Sequence, residues 1–309
     1  MHFVVIFSEY MAKKNSDTPD FLFIEKIIIM ILALFAWLCT VLAVRQGFYL
    51  MRRKDQTEPA QTVEKTETEE FRQDQTVLKP TPDAGWQYAD ETLFLGDSNT
   101  VRLMQYYRED GETYTNIANT IAVAGMGADA ISTLPCMQFE TGVYTMIDAA
   151  AMLQPKRIIL TFGTNNLGWY TAQDFAAVYA DQIRLLQAAW PYADIIVNSI
   201  YPFAQNTTYT SLSMDDVLAF NEAIIRMCEE NGWKYLNSFE ALTDSDSGYI
   251  RMEYIDTFDG LHLNEKGVQA VMEYVRTHAY ETEDRRGPLA EIPLIYGPLT
   301  ELLTQNAGN

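Results

Sequence analysis

The chain has 309 residues, 48% of them hydrophobic and 21% charged, which permits one substantial core with appendages. Forty-two acidic against 22 basic residues leave a net charge of −20, which repels phosphate backbones and argues against nucleic-acid binding. Cys39, Cys136 and Cys228 lie far apart, with no CxxC pair and no Cys/His cluster, so neither a metal site nor a disulfide scaffold is expected. Cys136 and Cys228 read as small buried hydrophobes, a single bridge between them being the alternative.

In chain order, residues 1–26 form an N-terminal tail, and residues 27–44 read IIIMILALFAWLCTVLAV. At 1.5 Å per residue this apolar run reaches about 27 Å, enough to cross a bilayer core of about 30 Å with snorkelling ends. The run is longer than a signal-peptide core, starts late and lacks an A-x-A-like exit, so a retained, single-pass transmembrane helix is expected rather than a cleaved leader. Counting Lys13, Lys14 and Lys26 against Arg45, Arg52, Arg53 and Lys54 slightly favours the C-terminal side inside. Residues 45–87 argue the other way. Their stretch 55–85 is rich in Thr, Glu, Gln and Pro, reads as a disordered acidic linker, and suits a tether that holds an extracellular domain off a membrane.

From residue 88 to 281 the texture changes. Leu93-Phe94-Leu95, Thr120 to Val123, Arg157 to Phe162, Asp194 to Ile200 and Lys234 to Leu236 are short apolar runs, alternating with helix-like stretches. The clearest helices are 172–189, with Phe175, Val178, Tyr179, Ile183 and Leu186 on one face, and 214–231. Buried strand followed by helix, five times over, describes an α/β domain whose mainly parallel sheet is covered on both faces. Ligands of such sheets sit beyond the carboxyl ends of the strands, and Ser98, Gly125 and Asn165 each follow one of those strands.

The first strand runs into LFLGDSNTVRL at 93–103. A Gly-Asp-Ser tripeptide arises by chance in roughly one chain in ten of this length, so Ser98 needs company before it reads as a nucleophile. His2 precedes the membrane run and His278 falls late in a helical stretch, where a solvated position is expected; His262, in FDGLHLNEKG, is left as the base. Asp259 precedes it by three residues and can face the same rim, with Asp256 as the structural alternative. Oxyanion donors are available from the backbone N–H of Ser98, from VAGMGAD, where Gly125 and Gly127 both fit a turn, and from the amide of Asn165 in FGTNNLG.

GDS at 96–98, the glycine turn at 125, GTNN at 163–166 and DGLH at 259–262 together resemble the four blocks of the SGNH, or GDSL-type, hydrolases. The resemblance implies a three-layer α/β/α, flavodoxin-like fold with five strands and hydrolysis of carboxylic esters without metal or other cofactor. It implies Ser98 as nucleophile, His262 as base, Asp259 as its partner, and Ser98, Gly125 and Asn165 as the oxyanion hole. It departs from the family pattern at Asn166, where the third block usually has Asp.

The expected function is therefore a serine esterase or acylhydrolase, best matched to O-acyl groups on cell-envelope carbohydrate. An O-acyltransferase partner module, a lipid-directed lysophospholipase or thioesterase, and a non-catalytic binding domain are the alternatives. Trp169 and Tyr170, and Tyr201-Pro202, are candidates to floor a sugar or acyl subsite or to pack on neighbouring helices. The tail 282–309, broken by Pro288, Pro293 and Pro298, either docks or hangs free.

Overall fold

The computed structural model describes residues 75–299, and the predicted membrane helix 27–44 lies outside them. Among the described residues no helix is long and apolar enough to cross a membrane. Five short strands, β1 (Thr92–Gly96), β2 (Thr120–Ala122), β5 (Arg157–Thr161), β6 (Asp194–Asn198) and β7 (Lys234–Leu236), pair in the order β2-β1-β5-β6-β7. Every pairing is parallel. β1 leads first to β2 on one side and β2 then crosses to β5 on the other, so the order reverses between β1 and β5. Loops leaving those two strands diverge at their carboxyl ends and open a crevice there.

Both faces of the sheet are buried, which is why its strands read as continuous apolar runs rather than as an alternation. Leu93, Leu95, Ile158, Leu160, Ile195 and Val197 point to one face and pack with the helices α3 (Met146–Leu153), α4 (Ala172–Ala189) and α5 (Met214–Asn231). Phe94, Ile159, Ile196 and Leu236 point to the other, against α1 (Gly85–Asp90), α6 (Ser238–Leu242) and α7 (Glu265–Thr277). On α4, Phe175, Tyr179, Ile183 and Leu186 are fully buried, and Phe175 stacks on Phe220 of α5 at 4.8 Å. Thr171 and Asp174 start α4 with a reciprocal cap that satisfies a free helix-end N–H.

The folded unit begins earlier and ends later than the sequence boundaries. Residues 76–84, read as linker, bind the domain: Leu78 N donates to Tyr235 O at 2.9 Å, and Thr81 N and Ala84 N donate to the end of α7. Val77 and Leu78 supply the apolar surface that their acidic surroundings mask in a composition count. The tail also docks. β8 (Ile295–Pro298) completes an antiparallel sheet, β4-β3-β8, with β3 (Pro135–Phe139) and β4 (Gly142–Thr145), none of which the apolar runs announced. Arg285 reaches the buried Asp194 at 2.9 Å, and Gln154 exchanges two hydrogen bonds with Ala290.

His278 is a correction as well: it is buried, not solvated, and stacks on Tyr274 at 3.7 Å, with burial holding its imidazole below the usual range. Cys136 and Cys228 are both buried and unbridged, and burial pushes the Cys136 thiol up to about 12.

Gly163, between β5 and the Asn165 turn, has φ +130, and a Cβ there would lie 2.4 Å from Ile200 Cδ1. The site loop therefore depends on a glycine for both conformation and space. Gly163→Ala is expected to lower the unfolding free energy by about 2–4 kcal/mol, from overpacking plus backbone strain. Urea denaturation checks this, and an unshifted midpoint contradicts it.

Candidate active site

β1 delivers its last residue, Gly96, into a space that no side chain could share: a Cβ there would sit 1.9 Å from Thr100 Oγ1 and 2.8 Å from Thr161 O. That close approach lets the short helix α2 (Ser98–Arg102) start directly above the sheet. Asp97 caps α2 by accepting from Asn99 N at 3.0 Å, and Ser98 is left half-buried at the rim.

The loop 255–263 brings the second group to the same place. His262 Nε2 lies 2.8 Å from Ser98 Oγ, and His262 Nδ1 lies 2.6 Å from Asp259 Oδ2. Asp259 Oδ1 accepts from Leu261 N at 2.8 Å and His262 N at 3.0 Å. Partial burial pushes the Asp259 carboxyl up, but these donors and the imidazole outweigh it and hold the group below its ordinary value. Asp259 is thus the carboxylate on the imidazole. Asp256 is not: it accepts from Phe258 N and pairs with Arg102 at 3.5 Å.

Two supports for this loop carry no local sequence signal. Asn99, only 3% exposed, accepts from Leu263 N at 3.0 Å and contacts Leu261 O at 3.5 Å, so the residue after Ser98 grips the chain on both sides of His262. Thr207 Oγ1 and Thr208 N donate to Asp259 O, and Ala204 N donates to Gly260 O, so a third loop braces the other side. Gly260, at φ +70, would push a Cβ to 2.9 Å from Thr207 Cα.

Asn165 sits half-buried beside Asp97. Its Nδ2 donates to Asp97 Oδ2 at 3.1 Å and to Met126 O at 3.2 Å. Gly125, exposed and at φ +77, turns the chain after β2 towards this amide. Gly127 is needed for a different reason, since a Cβ there would lie 2.5 Å from Asp129 Oδ1 and 2.8 Å from Asn166 Nδ2. Asn166, at the position where the family pattern usually has Asp, accepts from Ala128 N and donates to Asp129 Oδ1, tying the glycine turn to the end of β5. The candidate subsite residues separate: Trp169 is 85% exposed, Tyr170 packs against the core, and Tyr201 is buried under the rim with its hydroxyl on Asn198.

A hydroxyl, an imidazole and a carboxylate in one hydrogen-bonded series can pass the hydroxyl proton to the ring while oxygen attacks a carbonyl. The family model of the GDSL-like lipases and acylhydrolases matches residues 94–270, more than half of the chain, and spans all of these residues. The chain belongs to this family. GDSL-like acylhydrolases are enzymes, and the sheet order matches their α/β architecture. Similar solved structures include a GDSL-like lipase from Bacteroides thetaiotaomicron, at 15% identity over 63% of this chain and 89% of that one, with a TM-score of 0.44. A carbohydrate esterase family 3 from Talaromyces cellulolyticus has 16% identity over 60% and 93%, with a TM-score of 0.43. A peptidoglycan O-acetylesterase has 16% identity over 50% of this chain and 43% of that one, with a TM-score of 0.39. No curated protein sequence matches the chain. Among the described residues of this acylhydrolase, no three His, Cys, Asp or Glu side chains are grouped to hold a metal ion.

Asn99→Ala leaves the buried Leu263 N–H without its acceptor and frees the His262 segment. If the His262 ring takes the Ser98 proton, a displacement of about 1 Å is costly, and kcat on an aryl acetate is expected to fall about tenfold or more. Asn99→Asp, which keeps an acceptor for Leu263 N, retains more activity than Asn99→Ala. Equal kcat for wild type and Asn99→Ala contradicts this.

Proposed function

We propose that this acylhydrolase cleaves carboxylic esters through Ser98, His262 and Asp259, and that its natural substrates are O-acyl groups on cell-envelope carbohydrate. The observation that carries the reading is the pair of short bonds at His262, 2.8 Å to Ser98 Oγ and 2.6 Å to Asp259 Oδ2. Ser98 Oγ attacks the ester carbonyl carbon while its proton moves to His262 Nε2. The tetrahedral oxyanion is met by the N–H groups of Ser98 and Gly125 and by Asn165 Nδ2, which gives up its bond to Met126 O. Collapse breaks the carbon–oxygen bond to the alcohol, and the imidazolium returns its proton to that oxygen. Water then attacks the acyl-enzyme by the same route in reverse, freeing the acid and Ser98. Asp259 stays ionised throughout, holding the ring and favouring its charged form.

The carbohydrate assignment rests on the rim. Trp169 and Phe258 are 85% and 88% exposed, the first four residues after Asn165 and the second directly before Asp259. An aromatic face held in water suits the apolar face of a sugar ring, and the 207–208 segment, which hydrogen-bonds Asp259 O directly after Phe258, brings polar groups to the same loop. An outward-facing domain tethered through the apolar run 27–44 fits this reading, because such a domain would meet envelope glycans.

Ser98→Ala is expected to lower kcat on 4-nitrophenyl acetate by about 10⁴-fold or more with the fold retained, as seen when a triad nucleophile is removed. Trp169→Ala is expected to lower kcat/KM on an O-acetylated oligosaccharide about tenfold, a loss of about 1.4 kcal/mol of binding, and to affect the aryl ester less. Retained activity in Ser98→Ala ends the triad assignment; an equal Trp169→Ala effect on both esters ends the carbohydrate assignment. Acyl transfer to the oligosaccharide in place of acetate release reassigns the enzyme as a transferase.

A further inference from the structure

The carboxyl group of Asp97 is an anomaly beside the triad. It is 1% exposed, and among the described residues no Lys, Arg or His pairs with it. Its two oxygens accept from Asn99 N at 3.0 Å and from Asn165 Nδ2 at 3.1 Å. The other ionisable groups turned towards it are the phenols of Tyr179 on α4 and Tyr201 after β6, both buried and both pushed further from ionisation by the carboxylate. Burying a carboxylate without a cation is destabilising, and a neutral Asn could cap α2 without that penalty. What the carboxylate alone provides is two acceptor oxygens at once, one for the cap and one for Asn165.

We propose that Asp97 is a positioning residue that acts through Asn165, its buried carboxylate aiming the Asn165 amide at the place where the oxyanion forms. The inference rests on the reading of Asn165 as an oxyanion donor. One amide hydrogen of Asn165 is held by Asp97 and the other by Met126 O, so the first bond fixes the plane of the amide while the second is exchanged for substrate. A carboxylate is the stronger acceptor of the two, so the exchange falls on the Met126 side.

Burial pushes the Asp97 carboxyl up to about 7, against the helix-cap and Asn165 donors that favour its charged form. Its folded value lies above its unfolded one, so the folded protein holds the proton more tightly. The associated stability is present below the ordinary carboxylate range and is lost as pH rises towards about 7. A neutral replacement escapes that loss.

The test is Asp97→Asn beside Asn165→Ala, the double variant and Ser98→Ala, in the full-length protein with 4-nitrophenyl acetate. Asn165→Ala is expected to lower kcat about 10²-fold or more. Asp97→Asn is expected to lower kcat at least about tenfold with KM nearly unchanged, and to add little in the Asn165→Ala background, as for groups acting in series. It also removes one proton loss from the acid limb of the pH–kcat profile. Its thermal midpoint rises relative to wild type more at pH 8 than at pH 4.5. NMR titration of the Asp97 carboxyl carbon moves to higher pH in Asn165→Ala, independently of activity.

Asp97→Asn with full kcat, losses that simply multiply, or a variant that fails to fold at every pH overturns the inference and assigns Asp97 to the fold alone. Full activity in Ser98→Ala overturns the triad reading instead, so the two failures are distinguishable.

Discussion

The hydrogen bond between His262 Nε2 and Ser98 Oγ joins side chains 164 positions apart, and a contact of that span has no local cause. It exists because the strand order reverses between β1 and β5 while all the strands run parallel, so that the rim above β1 is open to a loop returning from the far end of the domain. Two conditions keep it at 2.8 Å. Gly96 lets α2 press onto β5 without a Cβ in the way, and Asn99 grips the backbone on both sides of His262. The residue next to Ser98 therefore fixes the chain on both sides of His262.

Around that bond the rim divides into a charged side and an amide side. Asp259 is supplied with backbone donors and stays ionised, the state in which it can stabilise an imidazolium. Asp97 is denied cations and lies deeper, so its ionisation is costly. Two carboxylates within one site thus sit in opposite environments, and such a separation marks distinct tasks. The glycine turn at 125–127 is braced from the amide side by Asn166 and Asp129 rather than by the sheet. This explains how an Asn at 166 serves where the family usually has Asp: the position carries loop geometry, which an amide meets by accepting from Ala128 N and donating to Asp129.

What could be read from the amino-acid order follows from scarcity and period. Of three histidines, one precedes a membrane-like run and one falls late in a helical stretch, which points to His262, and its ring does lie on Ser98 Oγ; the five apolar runs fall on the five strands of the parallel sheet. The helices 172–189 and 214–231 match because each carries a full apolar stripe. What could not be read depends on partners distant in sequence. Val77 and Leu78 look like linker until Tyr235 is beside them, and β8 has no strand signature apart from β3. The roles of Asn99 and Asn166 were equally hidden, since a polar residue in a loop is usually solvated and only its long-range acceptor or donor says otherwise.

The central claim is that Ser98 Oγ is activated by His262 at this rim. It is tested most directly by covalent capture with a fluorophosphonate, in which the serine oxygen bonds to phosphorus, fluoride leaves, and the serine proton passes to the imidazole. Mass spectrometry of the digested protein should place a single phosphonyl adduct on the peptide containing Ser98. Labelling should slow sharply in His262→Ala. An adduct on another serine, or equal labelling of Ser98 with and without His262, would contradict the account.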